Sequence, residues 1–374
     1  MNYIIFGGSF DPIHNGHIRV LKAAMAKFNA TPIIVVSKSP RWKSPVENAS
    51  DRLNMVKIAV EAHLKDAIVS TYELDSDTEI NYTIDTIKHF KKLYPNDNLY
   101  FLIGADQVNK FNEWKDASEI ASLAKIVYSN RPGYKLSDNN ISQFKMESLD
   151  FYDSGDVSST DFKNIKCIDV PDEVLRYIET HRLYFVKRML DYILPKRLDH
   201  SIEVAKLSYE VAKVNNFPNP EKAYIAGLFH DIGKSFKFEG EIAKDYMRKR
   251  YPQYEDLPPF SYHQFIGKDI AEKEFGINDV EILSAIIFHC TGNANMTPLA
   301  QIIYACDKIE PTRAFDSAFL RSCCMKNYEY GFYETLVDNK KYLLNHNKDI
   351  TNKLTDACFN QYLKKLGDKY AKER

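Results

Sequence analysis

The chain has 374 residues, 44% of them hydrophobic and 27% charged, with a formal net charge of -1. That length suits more than one globular domain, and so balanced a charge supplies no global field to draw in nucleic acid or an anionic membrane. Any anion binding must therefore be local. The longest apolar runs, such as "IIVV" and "IAGLF", are far shorter than the roughly 20 residues of a membrane helix, and the N-terminus lacks the basic flank and apolar core of a signal peptide. A cytoplasmic protein is expected. The six cysteines (Cys167, Cys290, Cys306, Cys323, Cys324 and Cys358) show no CxxC spacing and are assigned no function.

Taken in chain order, the predicted elements fall into two grammars. Strands at "NYIIF", "PIIVV", "AIVSTYEL", "LYFLIG" and "KIVYS" alternate with helical segments over 16–28, 51–63, 82–93 and 105–123. Such alternation predicts an α/β fold with a doubly wound parallel, Rossmann-like sheet. Ile18, Leu21, Met25 and Phe28 recur at spacings of three and four, which turns one face of the first helix toward that sheet. The polar stretch 134–156 is expected to be a long loop, and 171–184, opening on a proline, a closing helix. From 186 onward β-rich runs disappear, and helical periodicity interrupted by "FPNPE", "YPQYEDLPPF" and "TGNANMTP" predicts an all-α domain. The expected division is 1–185 and 186–374.

Open parallel sheets bind ligands at the carboxyl ends of their strands, and the unusual residues of the first half lie there: "GGSFDPIHNGH" (7–17) after the first strand, "GADQ" (104–107) after the fourth, "SNRPG" (129–133) after the fifth. Gly7 and Gly8 let a ligand approach the backbone, and Asn15 is a suitable cap for a helix starting near Gly16. His14 and His17 have three readings: metal ligands, structural histidines at a turn, or donors to a bound anion. A helix N-terminus favours an anion and opposes a cation by about 0.3–1 kcal/mol, which speaks against metal. No Walker or GxGxxG pattern is present. "VSSTDFK" (157–163) reads either as a capping box from Ser158 to Asp161 or as hydroxyls of Ser158, Ser159 and Thr160 holding a triphosphate.

"GGSFDPIHNGH" together with "VSST" resembles the nucleotidyltransferases bearing the HxGH signature. "YTIDT" (82–86), "GADQ", Trp114 in "FNEW" and "RPG" are similar to nicotinate-nucleotide adenylyltransferase in particular. The resemblance spans about 1–184. It implies attack of a mononucleotide phosphate on the α-phosphorus of ATP, accompanied by Mg2+, with release of pyrophosphate and no covalent intermediate. By resemblance His14 and His17, acting as catalytic residues, contact the ATP phosphates beside Gly7, Gly8, Ser9 and Phe10. Ser158, Ser159 and Thr160 assist, and Gly104 and Asp106 hold the adenosine. Lys43, Thr83, Asp85, Trp114 and Arg131 line the mononucleotide pocket. Asp11 is read as a turn residue. Phe162-Lys163 replaces the family's Ile-Arg, which suggests that a point charge replaces a bidentate phosphate contact. "SPRWKS" and "ELDSDTE" depart from the family's pyridine-side pattern, so nicotinate and nicotinamide mononucleotide both stay open.

In the second half four histidines fall one per segment, in "RLDHS", "LFHDIGK", "SYHQF" and "IFHCTG". Together with Asp231 and Asp307 they form a nitrogen and carboxylate set without thiolate, suited to iron, manganese or magnesium better than to structural zinc. Cys290 and Cys306 adjoin the expected ligands but are rotated by about 100° on a helix and should face elsewhere. His200, His230-Asp231, His263, His289 and Asp307, in that order, resemble the HD phosphohydrolase superfamily. "HDIGK", "HCTG" and "DKIEPTR" are closer to the bacterial branch that splits diadenosine tetraphosphate into two ADP. The match covers about 190–320 and implies a dinuclear metal centre, iron first, with Asp231 and Lys234 catalytic and Lys234 and Arg313 neutralising phosphates. Residues 325–374 carry no functional reading.

The expected partners are small-molecule nucleotides (ATP, nicotinate mononucleotide, diadenosine tetraphosphate), with no membrane and no nucleic acid, and with room for a homo-oligomer. Rival readings are phosphopantetheine adenylyltransferase or a cytidylyltransferase for the first half. For the second they are guanosine tetraphosphate hydrolysis or an inactive module that senses nucleotides.

Overall fold

A computed structural model describes residues 1–38, 45–78, 80–130, 135–152, 158–313, 316–345 and 352–371. The chain splits into two compact units, Met1–Lys163 with Cys167–Tyr184, and Phe185–Arg374 with Asn164–Lys166.

The first unit is built on six parallel strands: β1 (Asn2–Gly8), β2 (Thr31–Val36), β3 (Ile68–Ser70), β4 (Asn98–Gly104), β5 (Lys125–Asn130) and β6 (Glu147–Tyr152), in the order β3-β2-β1-β4-β5-β6. The order reverses between β1 and β4, so their carboxyl ends form the switch point at which such sheets take ligands. Its helices are α1 (Asn15–Phe28), α2 (Ala49–His63), α3 (Thr83–Leu93), α4 (Ala105–Val108), α5 (Ala117–Leu123), α6 (Asp138–Gln143), α7 (Ser159–Lys163) and α8 (Asp172–His181). Ile5, Ile33, Val35, Phe101 and Ile103 of the sheet pack with Ile84, Ile87 and Phe90 of α3 in one buried core. On α1, Ile18, Leu21 and Ala24 are buried while Met25 and Phe28 are only half-buried.

Three expectations change. The polar stretch 134–156 contains α6 and the edge strand β6, which pairs with β5 through an irregular register between Tyr128 and Asn130. The segment 105–123 is two helices rather than one, because Trp114 is extended and Asp116 has a φ of 54°. Helix α1 begins one residue earlier than expected: His14 is its N-cap, and Asn15, inside the first turn, donates to Asp169 Oδ1 at 2.6 Å.

Among the described residues the regular elements of the second unit are helices: α9 (Tyr184–Met189) leads into α10 (Pro195–Val214), α11 (Pro220–Phe229), α12 (Glu241–Arg250), α13 (Tyr262–Phe275), α14 (Val280–Phe288), α15 (Pro298–Ile309), α16 (Ala318–Lys326), α17 (Tyr328–Asn345) and α18 (Lys353–Tyr370). Prolines at the first helical positions of α10, α11 and α15 start those helices where a missing N–H costs nothing. Among the described residues no helix is long and apolar enough to cross a membrane.

Candidate active sites

The loop "GGSFDPIHNGH" crosses the end of β1 and turns into α1. The His14 backbone N–H donates to His17 Nδ1 at 3.1 Å. A neutral His17 that accepts at Nδ1 carries its proton on Nε2, so the ring is oriented as a donor at the helix mouth. Stacking on His14, with ring centroids 3.5 Å apart, and an edge contact from Phe10 at 5.2 Å fix its plane. Phe10 is buried with a φ of 46°, so it serves the loop by packing. A Cβ on Gly8 would lie 3.1 Å from its ring.

Asp11 is more than a turn residue. Its buried carboxylate accepts from the backbone N–H groups of Val46 (2.9 Å) and Glu47 (3.2 Å), from Lys163 Nζ (2.8 Å) and from the Tyr184 hydroxyl (3.0 Å). Lys163, expected to offer a point charge to phosphate, is paired with Asp11 in this structure. Beneath the loop the buried Arg52 donates to the carbonyls of Ser9 (2.7 Å), Ser37 (2.9 Å), Lys38 (3.2 Å) and Glu47 (3.3 Å). Burial pulls its pKa down, opposed by the nearby Asp11 charge. Neither partnership is visible in sequence, where Arg52 looks like a surface cation on a helix.

A cleft of about 310 Å³ opens at the ends of β1, β2 and β4, lined by Gly7, Gly8, Ser9, Gly104 and Ser37 on the sheet side and by Glu73, Asn81, Tyr82, Thr83, Thr86, Trp114 and Lys115 opposite. Thr83 and Trp114 both line this cleft, whereas Asp85 is exposed and outside the lining. Trp114 is held edge-on to Phe101 at 6.0 Å, and Lys115 Nζ sits over the Tyr82 ring at 4.0 Å. Sequence reasoning missed Lys115 and Glu73. Burial pushes the Glu73 carboxyl up, partly offset by a 2.7 Å hydrogen bond from Thr86 Oγ1. Asp106 is exposed and accepts from Gln107 Nε2 at 2.6 Å. The Asp161 backbone N–H donates to Ser158 Oγ at 3.1 Å, one half of a capping box, while the Asp161 carboxylate accepts from the Ser158 hydroxyl rather than from its backbone N–H. Ser159 Oγ donates to the Pro12 carbonyl at 2.9 Å, and Thr160 is exposed. Lys43 and Arg131 lie outside the described residues.

In the second unit the expected ligands converge. Three sets of three, His200-His230-Asp231, His230-His289-Asp307 and Asp231-His263-His289, each bring their ligand atoms within 4.8 Å of one another. The histidines do not sit on four successive helices as expected. α12 intervenes, and His230 and His289 cap the ends of α11 and α14. The Nδ1 atoms of His230, His263 and His289 each bond a carbonyl three residues earlier, Gly227, Phe260 and Ile286, at 2.6–2.7 Å. His200 Nδ1 lies 3.2 Å from Glu310 Oε1. All four rings therefore present Nε2 to the centre, with the outer nitrogen already held, as metal-ligating histidines require.

The two oxygens of Asp231 face different pairs. Oδ1 lies 3.4 Å from His263 and 3.4 Å from His289, whereas Oδ2 lies 3.6 Å from His230 and 3.9 Å from His200. Asp307 Oδ1 is 3.2 Å from His200 and 3.3 Å from His230. Burial pushes both carboxyls up, but the histidines and neighbouring lysines outweigh it and hold them well below the usual range. Burial lowers His263 and His289, against the pull of Asp231. His230 Nε2 and Asp231 Oδ1 are buried without a hydrogen-bond partner. Since such atoms cost about 1–3 kcal/mol each when left unmet, a donor set of histidine nitrogens and carboxylates fits divalent metal. Cys290 and Cys306 belong to none of these sets, and burial pushes their thiols up to about 11 and about 12, the protonated form that does not ligate.

The glycine of "HDIGK" does not end a helix, since α11 already stops at Phe229. A Cβ on Gly233 would lie 2.0 Å from the His263 carbonyl oxygen, so its absence lets α13 approach the Asp231 turn. Lys234 Nζ reaches Asp231 Oδ2 at 2.9 Å and Arg313 Nη2 reaches Asp307 Oδ1 at 2.8 Å. Arg197 and Glu310 were missed. Their signal was spacing, since Arg197 lies one turn before His200 and Glu310 one turn after Asp307.

Residues 5–165 match the cytidylyltransferase-like family and residues 197–312 the HD domain family. A protein of Mycoplasma genitalium described as a probable nicotinate-nucleotide adenylyltransferase/Ap4A hydrolase is 31% identical over 318 residues, covering 83% of this chain and 87% of that one. A protein of Mycoplasma pneumoniae with the same description is 31% identical, covering 84% and 90%. A shorter relative from Aquifex aeolicus, a probable nicotinate-nucleotide adenylyltransferase, is 39% identical over 171 residues, 42% of this chain and 99% of its own length. The chain belongs to the family of two-part proteins that join a nicotinate-nucleotide adenylyltransferase to an Ap4A hydrolase.

Proposed function

We propose that the chain transfers the adenylyl group of Mg2+-ATP to nicotinate mononucleotide, giving deamido-NAD and pyrophosphate, and in its second unit hydrolyses diadenosine tetraphosphate to two ADP. The observation that carries this reading is two chemically distinct sites on one chain, an anion-directed helix mouth and a four-histidine, two-aspartate cluster, in a relative of proteins named for both activities. In the first unit His17 Nε2, with His14 beside it, donates to the phosphates where charge builds. Gly104 and Asp106 take the adenosine side, and Thr83 and Trp114 the mononucleotide. Lys115, beside the Tyr82 ring, supplies a cation next to an aromatic wall, which suits a pyridine carboxylate better than its amide.

In the second unit His200, His230, Asp231, His263, His289 and Asp307 would hold a pair of divalent ions, with iron first and manganese or magnesium next. Bound there, such ions make hydroxide available at neutral pH and neutralise phosphoryl oxygens. Lys234 and Arg313 stand at the carboxylates where phosphate charge arrives. The test is incubation with ATP and each of nicotinate mononucleotide, nicotinamide mononucleotide and phosphopantetheine, and separately of metal-loaded protein with diadenosine tetraphosphate. Pyrophosphate release with nicotinate mononucleotide and ADP as the sole hydrolysis product are expected. Turnover of phosphopantetheine alone, or an untouched tetraphosphate, overturns the corresponding half.

A further inference from the structure

The HD centre is ringed by more positive charge than its carboxylates need. Asp231, Asp307 and Glu310 face four cations: Arg197 Nη1 lies 2.9 Å and Lys234 Nζ 2.9 Å from Asp231 Oδ2, Arg313 Nη2 2.8 Å from Asp307 Oδ1, and Lys308 Nζ 3.6 Å from Asp307 Oδ2. Lys308 is tied inward, donating to the His289 carbonyl at 3.0 Å. The other three lie at the rim, with side chains 40%, 36% and 37% exposed for Arg197, Lys234 and Arg313. Two divalent ions added to this set leave an excess of about five positive charges. A single phosphate monoester neutralises about two of them, whereas a four-phosphate chain neutralises about four.

Asp231 Oδ2 holds the second clue. A carboxylate oxygen has two lone-pair positions, and this one already accepts from Arg197 and from Lys234 while facing the His200-His230 pair. It cannot serve both cations and a metal ion at once. Lys234 lies three residues from Asp231 and stays beside it. Arg197 reaches in from α10, one turn before His200, and its planar guanidinium is built to grip phosphate oxygens in pairs.

We propose that Arg197 is a phosphate-chain residue of the HD site, which rests on Asp231 Oδ2 until metal takes that oxygen and then turns to the outer phosphates of a polyphosphate substrate. This deepens the polyphosphate reading above and rests on it. Nucleotides with a long phosphate chain are then held in preference to monophosphates, because a chain brings enough negative charge to meet both the metals and Arg197.

The test compares wild-type full-length protein with Arg197→Met and Arg197→Lys, loaded with Mn2+, by calorimetric titration of Mn2+, inorganic tripolyphosphate and orthophosphate. The metal-sensitive unfolding transition of the second unit, followed by scanning calorimetry, serves as the folding control. Arg197→Met is expected to bind tripolyphosphate about 10- to 100-fold more weakly, with orthophosphate changed less than threefold and Mn2+ bound as tightly or more tightly. Arg197→Lys should recover part of the tripolyphosphate loss. Unchanged tripolyphosphate affinity overturns the proposal, as does weakened Mn2+ binding, which would make Arg197 a support for Asp231 alone. Wild-type protein that leaves diadenosine tetraphosphate intact, yet shows the tripolyphosphate difference, sinks the substrate reading while supporting the role of Arg197.

Discussion

The donor role proposed for His17 rests on one hydrogen bond. Because Nδ1 accepts the His14 backbone N–H at 3.1 Å, Nε2–H points outward from the mouth of α1, and the donor exists before substrate arrives. Removing one such preorganised donor typically costs about 10²–10³ in turnover. His17→Ala should lower kcat for adenylyl transfer by that amount, while loss of the capping contact lowers stability by only about 1 kcal/mol; steady-state kinetics beside urea unfolding separates the two effects. Near-wild-type kcat would refute the donor role. What was legible in the sequence is the setting of the two histidines, flanked by glycines and a helix start. Their support was not: Arg52, Asp11 and Lys163 meet across separations of 43, 35 and 152 residues in their contacts with Ser9, Val46 and each other. No local pattern encodes such meetings.

At the scale of elements, α18 lies beyond the stretch that matches the HD family yet holds the loop that follows His289. Thr355 Oγ1 donates to the Thr291 carbonyl at 3.1 Å, and Tyr362 accepts from the Met296 N–H at 2.9 Å. Thr291 in turn meets Gln264, the neighbour of His263, whose Nε2 donates to Thr291 Oγ1 at 3.1 Å. One chain of contacts thus runs from α18 to two of the ligand-bearing elements, α13 and the end of α14. Thr355→Val keeps the volume and removes the donor. It should weaken metal binding about tenfold, at the lower end of what outer partners of metal ligands contribute, as read by chelator competition. An unchanged affinity would leave α18 a packing element only. The charged, helical sequence after residue 325 gave no hint of this, because bracing is a property of the partner surface. β6 escaped notice for a related reason: "ESLDFY" alternates too weakly to announce a strand, and its place is set by the open edge of β5.

At the scale of the whole molecule, the proposed reading has the two sites draw on metal differently, and that difference is measurable. Every expected ligand of the HD centre lies in the second unit, whereas the helix mouth, the cleft and the Asp11 network lie in the first. Stripping the protein with a chelator and restoring only Mg2+ should return adenylyl transfer in full, because Mg2+ enters there with ATP. Diadenosine tetraphosphate hydrolysis should return with Fe2+ or Mn2+ at concentrations well below those at which Mg2+ restores it. Binding to the folded state alone stabilises it by about 2.7 kcal/mol at a free metal concentration 100 times the dissociation constant. For a unit of this size that corresponds to roughly 5–10 °C in Tm. A scanning calorimetry trace should therefore show one metal-sensitive transition that moves by that amount, beside unfolding of the first unit that does not move. Should both activities fall and recover with the same ion at the same concentration, the assignment of the histidine cluster as a separate metal centre fails. Should hydrolysis survive chelation with Tm unchanged, the cluster is a buried polar network and the second reaction needs another site.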